Sequence, residues 1–321
     1  MASVLVITRM GDPTADLVIV ELYRRGVPVV RFDLADFPEC MVETARIDSD
    51  SREWAGELRT PHRVVSLAEI SAVWYRKPTG FAVHERMTAT EAKWAAAEAA
   101  AGFGGLLSAL DVRWVNHPHA NASADQRPRQ LAVAAASGLT VPATLVTNSP
   151  ERARDFCRDH AGTGVIYKPL TAGPRTENGE FVALYATTVR AEDITDDVAR
   201  TAHLFQARVP CAYSVRVVAI DGRLFATRID QPPDSTVDWR ADHDRLSYRP
   251  ITVPDAVAAG LRRMMAVLGL VYSSSDWIVT PDGEWTFLGD LNPNGQWAWL
   301  TPIQDEVTHA LADCLTGEAS S

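Results

Sequence analysis

Toward the end of the chain, the stretch FLGDLNPNGQW (287–297) sets an acid and an amide two residues apart. On an extended backbone Asp290 and Asn292 share one face, while Leu291 points to the other. Pro293 has no N–H with which to continue a ladder, and Asn294-Gly295 favours a turn. By itself such a pair is ordinary turn chemistry. Upstream, Asp276 precedes an Asp282-Gly283 turn, and antiparallel pairing about that turn brings it back beside Asp290 and Asn292. Three hard oxygen donors on neighbouring strands suit a Mg²⁺ ion that takes the rest of its shell from phosphates.

Cations suited to phosphates lie upstream. Lys168 sits in the apolar run GVIYKPL, where an ammonium is costly unless it meets an anion; the alternative is a side chain snorkelling from a strand edge. The Gly-bearing loop LTAGPRTENGEF follows, able to bring backbone N–H groups to a polyphosphate, although it matches neither a Walker A loop nor GxGxxG. Arg216 is a second charge in an apolar strand, YSVRVVAI, and Arg240 in VDWRAD can reach a transferred phosphoryl group. His117 and His119 in NHPHAN are spaced like metal ligands, but with no third soft ligand near they read as loop residues. No Cys/His or G-x-S-x-G arrangement offers a covalent nucleophile.

These side chains need strands to hold them. SVLVIT (3–8), PTADLVIVELYRRG (13–26) and VPVVRFD (27–33) read as strand, helix and strand. EISAVWYRKP (69–78), an Ala-rich helix over 88–110 and VRWVN (112–116) complete a first α/β lobe, 1–115. Residues 116–205 open on a polar loop, NHPHANASAD, then give a helix over 129–137, the strand ATLVT, a helix from about Ser149 and two strands flanking the Gly-bearing loop. Residues 206–321 are rich in strands: AYSVRVVAIDGRLFATRI turns at Asp221-Gly222, and the helix DAVAAGLRRMMAVLGL leads into the hairpin carrying Asp276 and Asp290. The fold class expected is α/β with α+β lobes.

A chain of 321 residues is too long for one small core. At 46% hydrophobic and 22% charged it has the composition of a soluble globular enzyme. The net charge of -10, without any long Lys/Arg run, argues against nucleic-acid binding. No secretory signal opens the sequence, and the apolar stretch 94–110 carries Glu98, as suits a soluble helix rather than a membrane span. Cys40, Cys157, Cys211 and Cys314 lie far apart and read as reduced thiols of a cytoplasmic protein.

In order, Lys168, the Gly-bearing loop, LFQARV, Arg216, DWR, Asp276 and D-L-N resemble the ATP-grasp superfamily. Five stretches resemble one branch of it, the ATP-grasp ribosomal peptide maturases that make graspetides, the microviridin-type ligases. They are LVITRMGDPTADLVIVELYRRGVPVVRFD, VWYRKPTGF, WVNHPHANASADQRPRQL, GLTVPATLVTN and FLGDLNPNGQWAWL, and the resemblance runs from about Val4 to Leu300. It implies an ATP-grasp fold with an N-terminal pre-ATP-grasp α/β domain, a central lid domain and a C-terminal β-rich domain holding the Mg²⁺ site. On the family's pattern Asp276, Asp290 and Asn292 are the metal ligands and Lys168 is the nucleotide lysine. Gln206, Arg208 and Val209 belong to the hinge beside adenine, and Arg216 and Arg240 face the phosphates. Three positions depart from that pattern: Asp290 stands for the usual Glu, Arg127 for the usual Lys among the nucleotide contacts, and Ser214 for an acid.

The activity implied is ligation with ATP and Mg²⁺. A side-chain carboxylate of a ribosomal precursor peptide, made of leader and core, is phosphorylated and then joined to a hydroxyl or amine as a macrocyclic ester or amide. The family also implies a homodimer. The alternatives are a RimK-like ligase that adds free amino acids and a nucleotide-binding partner subunit without activity. For the leader, the preferred surface is 177–202, with Glu192, Asp193, Asp196 and Asp197; the other is Arg76 and Lys77.

Overall fold

The computed structural model describes residues 2–50, 52–171, 175–177, 180–182, 186–232 and 245–318. The first lobe contains β1 (Ser3–Thr8), α1 (Pro13–Arg24), β2 (Val29–Phe32), β3 (Val42–Arg46), β4 (Ala55–Arg59), β5 (Val64–Ser66) and β6 (Ile70–Lys77). It closes with α2 (Ala89–Ala99), α3 (Gly105–Ser108) and β7 (Arg113–Val115). Strands β2-β1-β6-β7 form a parallel sheet, the arrangement expected of buried apolar runs joined by helices. Strands β3-β4-β5, whose short runs lack a clear period-two pattern, make a separate antiparallel sheet. The helix expected over 88–110 runs without a break from Ala89 to Ser108: Thr88 and Glu91 form a capping box at its start, and a π-helical turn over Ala100–Gly104 joins α2 to α3.

Next come α4 (Pro118–Ala124), α5 (Arg127–Ala136), β8 (Thr144–Thr147), α6 (Pro150–Asp159), β9 (Val165–Lys168), β10 (Arg175–Glu177), β11 (Glu180–Val182), β12 (Thr187–Val189) and β13 (His203–Ala207). The stretch read as a polar loop is the helix α4. Pro118 fits its first position, and the imidazole of His117 caps it by accepting from His119 N at 3.3 Å. So short a helix shows no apolar periodicity, which is why the pattern missed it. Strands β12-β9-β13-β8 form a sheet with its own small core, including Ala153, Cys157, Val165 and Phe205.

The last part holds β14 (Tyr213–Ile220), β15 (Arg223–Asp230), β16 (Ser247–Ile251), α7 (Asp255–Leu268), β17 (Tyr272–Val279), β18 (Trp285–Asn292) and α8 (Gln304–Thr316). Its antiparallel sheet runs β16-β15-β14-β17-β18. Period-two alternation divides β14 between two cores. Val215, Val217 and Ala219 pack with α7, while Val218 and Ile220 face a core shared with β1, α1 and β6 of the first lobe. Packing crosses the expected boundaries: residues 203–207 complete the central sheet, and Gly289 of β18 lies against Leu131 of α5. Among the described residues no helix is long and apolar enough to cross a membrane.

Candidate active site

The sheet face that meets the first lobe carries charge farther along. Arg216 is two residues before Val218 on β14 and pairs across the ladder with Asp276. Their side chains form a two-pronged ion pair, Arg216 Nε to Asp276 Oδ1 at 2.8 Å and Nη2 to Oδ2 at 2.8 Å. Arg216 also lies over the Trp299 ring, 5.3 Å from its centroid. On β18, Leu291 pairs with Ser275 and turns into the core, so Asp290 and Asn292 share the face of Asp276.

A bulge between Ser275 and Trp277 lets β18 reach that register, and Gly289 sits in it at φ 75. A Cβ at Gly289 would come within 3.0 Å of Leu131. From the same helix, Gln130 Nε2 donates to Leu291 O at 2.8 Å and its Oε1 accepts from Leu291 N at 2.9 Å. One side-chain amide thus serves both backbone groups of the residue between Asp290 and Asn292. Sequence reasoning passed over Gln130 because a helical glutamine carries no local mark of such a role.

Asp290 lies between two cations. Lys168 Nζ is 2.8 Å from its Oδ2, and Arg127 Nη1 bonds its Oδ1. Lys168 is only 5% exposed and also donates to Leu288 O at 3.1 Å, so it does not snorkel from an edge. Asp290 is therefore not at an exposed strand end. Asn292 is exposed, and its Oδ1 accepts from Asn294 N at 2.9 Å. Beside Arg127 opens a cavity of about 540 Å³ lined by Asp125, Gln126, Arg127, Pro128, Leu170 and Thr171, where burial pushes the Asp125 carboxyl up.

Gln206 is fully buried and donates to Thr144 Oγ1 at 3.0 Å, with Leu288 O at 3.4 Å. Arg208 and Val209 follow the end of β13; Arg208 is exposed and its N–H is bonded to Gly164 O at 2.9 Å. Arg240 and part of the Gly-bearing loop lie outside the described residues. His117 and His119 meet edge to face at the start of α4. Among the described residues no three His, Cys, Asp or Glu gather as a metal site; the hard donors here are two carboxylates and an amide. That set fits Mg²⁺ by its chemistry, since all donors are hard oxygens.

Of the surfaces considered for a leader, Arg76 is fully buried and presents no surface. In 177–202, which the described residues cover in part, Glu192 and Asp193 pair with Arg190, Asp196 with Arg154 and Asp197 with Arg200. Burial, with Arg76 beside it, lowers Lys77 to about 8, and burial pushes Tyr272 up to about 12.

Residues 3–122 match the family described as the MvdD pre-ATP grasp domain. No curated protein matches the sequence. Among solved structures, a Chryseobacterium gregarium RiPP-associated ATP-grasp ligase, in complex with ADP and a leader and core peptide, is 26% identical at a TM-score of 0.90, covering 100% of this chain and 98% of that one. Macrocyclase MdnB from Microcystis aeruginosa MRC is 28% identical at a TM-score of 0.81, covering 98% and 99%. Macrocyclase MdnC of the same organism, bound with precursor peptide MdnA, is 24% identical at a TM-score of 0.85, covering 99% and 100%. Residues 3–122 thus match an MvdD-type pre-ATP-grasp domain, and over nearly its whole length the chain shares the fold of RiPP-associated ATP-grasp ligases.

Proposed function

We propose that this chain is an ATP-dependent macrocyclase that joins side chains of a ribosomal precursor peptide as esters or amides. The observation that carries the reading is one sheet face that presents Asp276, Asp290 and Asn292, with Arg216 paired to Asp276 on that face and Lys168 of β9 and Arg127 of α5 reaching Asp290 from outside it. Residues 1–115, 116–205 and 206–321 serve as pre-ATP-grasp, lid and Mg²⁺-bearing domains. The γ-phosphoryl group of ATP passes to an Asp or Glu carboxylate oxygen of the peptide, and the bond to ADP breaks. A Ser or Thr hydroxyl, or a Lys amine, then attacks the acyl carbon; phosphate leaves with the bonding pair and the nucleophile gives up its proton.

In this reading Asp276, Asp290 and Asn292 would hold Mg²⁺, which offsets phosphate charge. Lys168 and Arg127 face the nucleotide phosphates, Arg216 and Arg240 the transferred group, and the backbone of Gln206, Arg208 and Val209 the base. Fixed cations lower the cost of charge that develops as phosphate departs. The peptide's leader supplies affinity away from the reacting side chains, and the enzyme works as a cytoplasmic homodimer. The test is to incubate the chain with ATP, Mg²⁺ and a precursor peptide, then weigh the peptide. Loss of whole waters is expected; a gain of residue masses, or no change, would overturn the reading.

A further inference from the structure

Strand β18 ends at Asn292, so the next carbonyls have no ladder to join. Four consecutive ones are bonded by four side chains instead. Asn116 Nδ2 donates to Pro293 O at 3.0 Å, Arg76 Nη1 to Asn294 O, Tyr272 OH to Gly295 O at 2.6 Å and Arg216 Nη1 to Gln296 O at 3.4 Å. Arg76 lies on β6 of the first lobe, and Asn116 directly follows β7, the last strand of that lobe. Asn116 also accepts from Val271 N and Tyr272 N, each at 2.8 Å, tying the start of β17 to the same point. Gly295 closes the fit: a Cβ there would lie 2.3 Å from Ser274 Cβ.

Arg76 is the unusual member. Its side chain is 1% exposed; among the described residues Asp12, at 3.5 Å, is its one ion-pair partner, and its Nε and Nη2 make no hydrogen bond. A buried ion pair seldom stabilises a fold more than apolar residues of the same size. Stability alone therefore does not account for a guanidinium at this depth; its reach to the Asn294 carbonyl does.

We propose that Arg76 is a positioning residue: through the clamped turn, the first lobe sets the place of Asn292 and so the metal affinity of the site. This rests on the metal assignment made above. The test measures Mn²⁺ binding by electron paramagnetic resonance with saturating ADP present, and ADP binding without metal. Because Arg76→Met alone strands Asp12, the informative variant is Arg76→Met with Asp12→Asn, which removes both charges; Tyr272→Phe removes one hydroxyl from the clamp. The paired variant is expected to weaken Mn²⁺ about tenfold, the scale of one lost buried hydrogen bond, and Tyr272→Phe to weaken it several-fold. Metal-free ADP affinity should stay unchanged, and Arg76→Lys should recover part of the Mn²⁺ loss.

A paired variant that folds and binds Mn²⁺ as wild type does would overturn the proposal. So would equal losses of metal-free ADP and Mn²⁺ affinity, which would mark general damage. A wild-type chain that takes up no Mn²⁺ with ADP overturns the ligase reading and this inference with it.

Discussion

Replacing Asp290 with Asn removes the one carboxylate that separates Lys168 from Arg127. At an effective dielectric of about 20, the 2.8 Å contact between Lys168 Nζ and Asp290 Oδ2 carries about 6 kcal/mol of attraction before desolvation is subtracted. Both side chains are nearly buried, at 6% and 10% exposure, so water replaces little of what is lost. Truncating one member of such a pair costs about 3–5 kcal/mol, and here it leaves two cations facing each other. Lys168→Met is the milder change, about 1–3 kcal/mol, because Arg127 still compensates Asp290. Adding Lys168→Met to Asp290→Asn should then relieve the repulsion and restore about 1–2 kcal/mol. Urea unfolding followed by tryptophan fluorescence, without nucleotide or metal, measures all three. If Asp290→Asn unfolds within about 1 kcal/mol of wild type, or the second substitution costs more instead of relieving, the electrostatic account of this site is wrong.

Three further outcomes are expected. Asn292→Ala should abolish peptide cyclisation while changing stability by less than about 1.5 kcal/mol, because the side chain is exposed and loses one bond to Asn294 N; normal turnover at ordinary Mg²⁺ would remove it from the ligand set. Gly289→Ala should cost about 1–2 kcal/mol for its left-handed backbone, and more as Leu131 is displaced, lowering the urea midpoint; an unmoved midpoint would show that α5 does not press on the bulge. Lys77, lowered to about 8, gives a pH signature: above that value the folded chain has released a proton that the unfolded chain keeps until near the ordinary lysine value. Stability relative to Lys77→Met should therefore rise with pH through this window, and a flat or falling difference would show that Lys77 is not desolvated.

Much of the site was legible along the chain because its information is local. The two-residue spacing of Asp290 and Asn292, the Asp282-Gly283 turn and the proline after Asn292 fix which side chains share a face and where the ladder stops. The hairpin follows from these, and β17 pairs with β18 as they require. Lys168 in an apolar run likewise announced that some anion must meet it.

Which anion it meets is a different kind of fact. Lys168 and Asp290 are 122 positions apart, Gln130 and Leu291 161, and Arg76 and Asn294 218. No periodicity spans such distances. These contacts arise when one lobe's helix or strand end docks on another's sheet, burying groups that were solvated in the open chain. Once buried, a donor or charge can be met only by the few partners within reach. Sequence thus determined the residue types and the faces they occupy. Only the packing of the lobes decided that Asp290 is held by two cations, that Leu291 is served by Gln130, and that the turn after Asn292 is gripped by Arg76 from the first lobe.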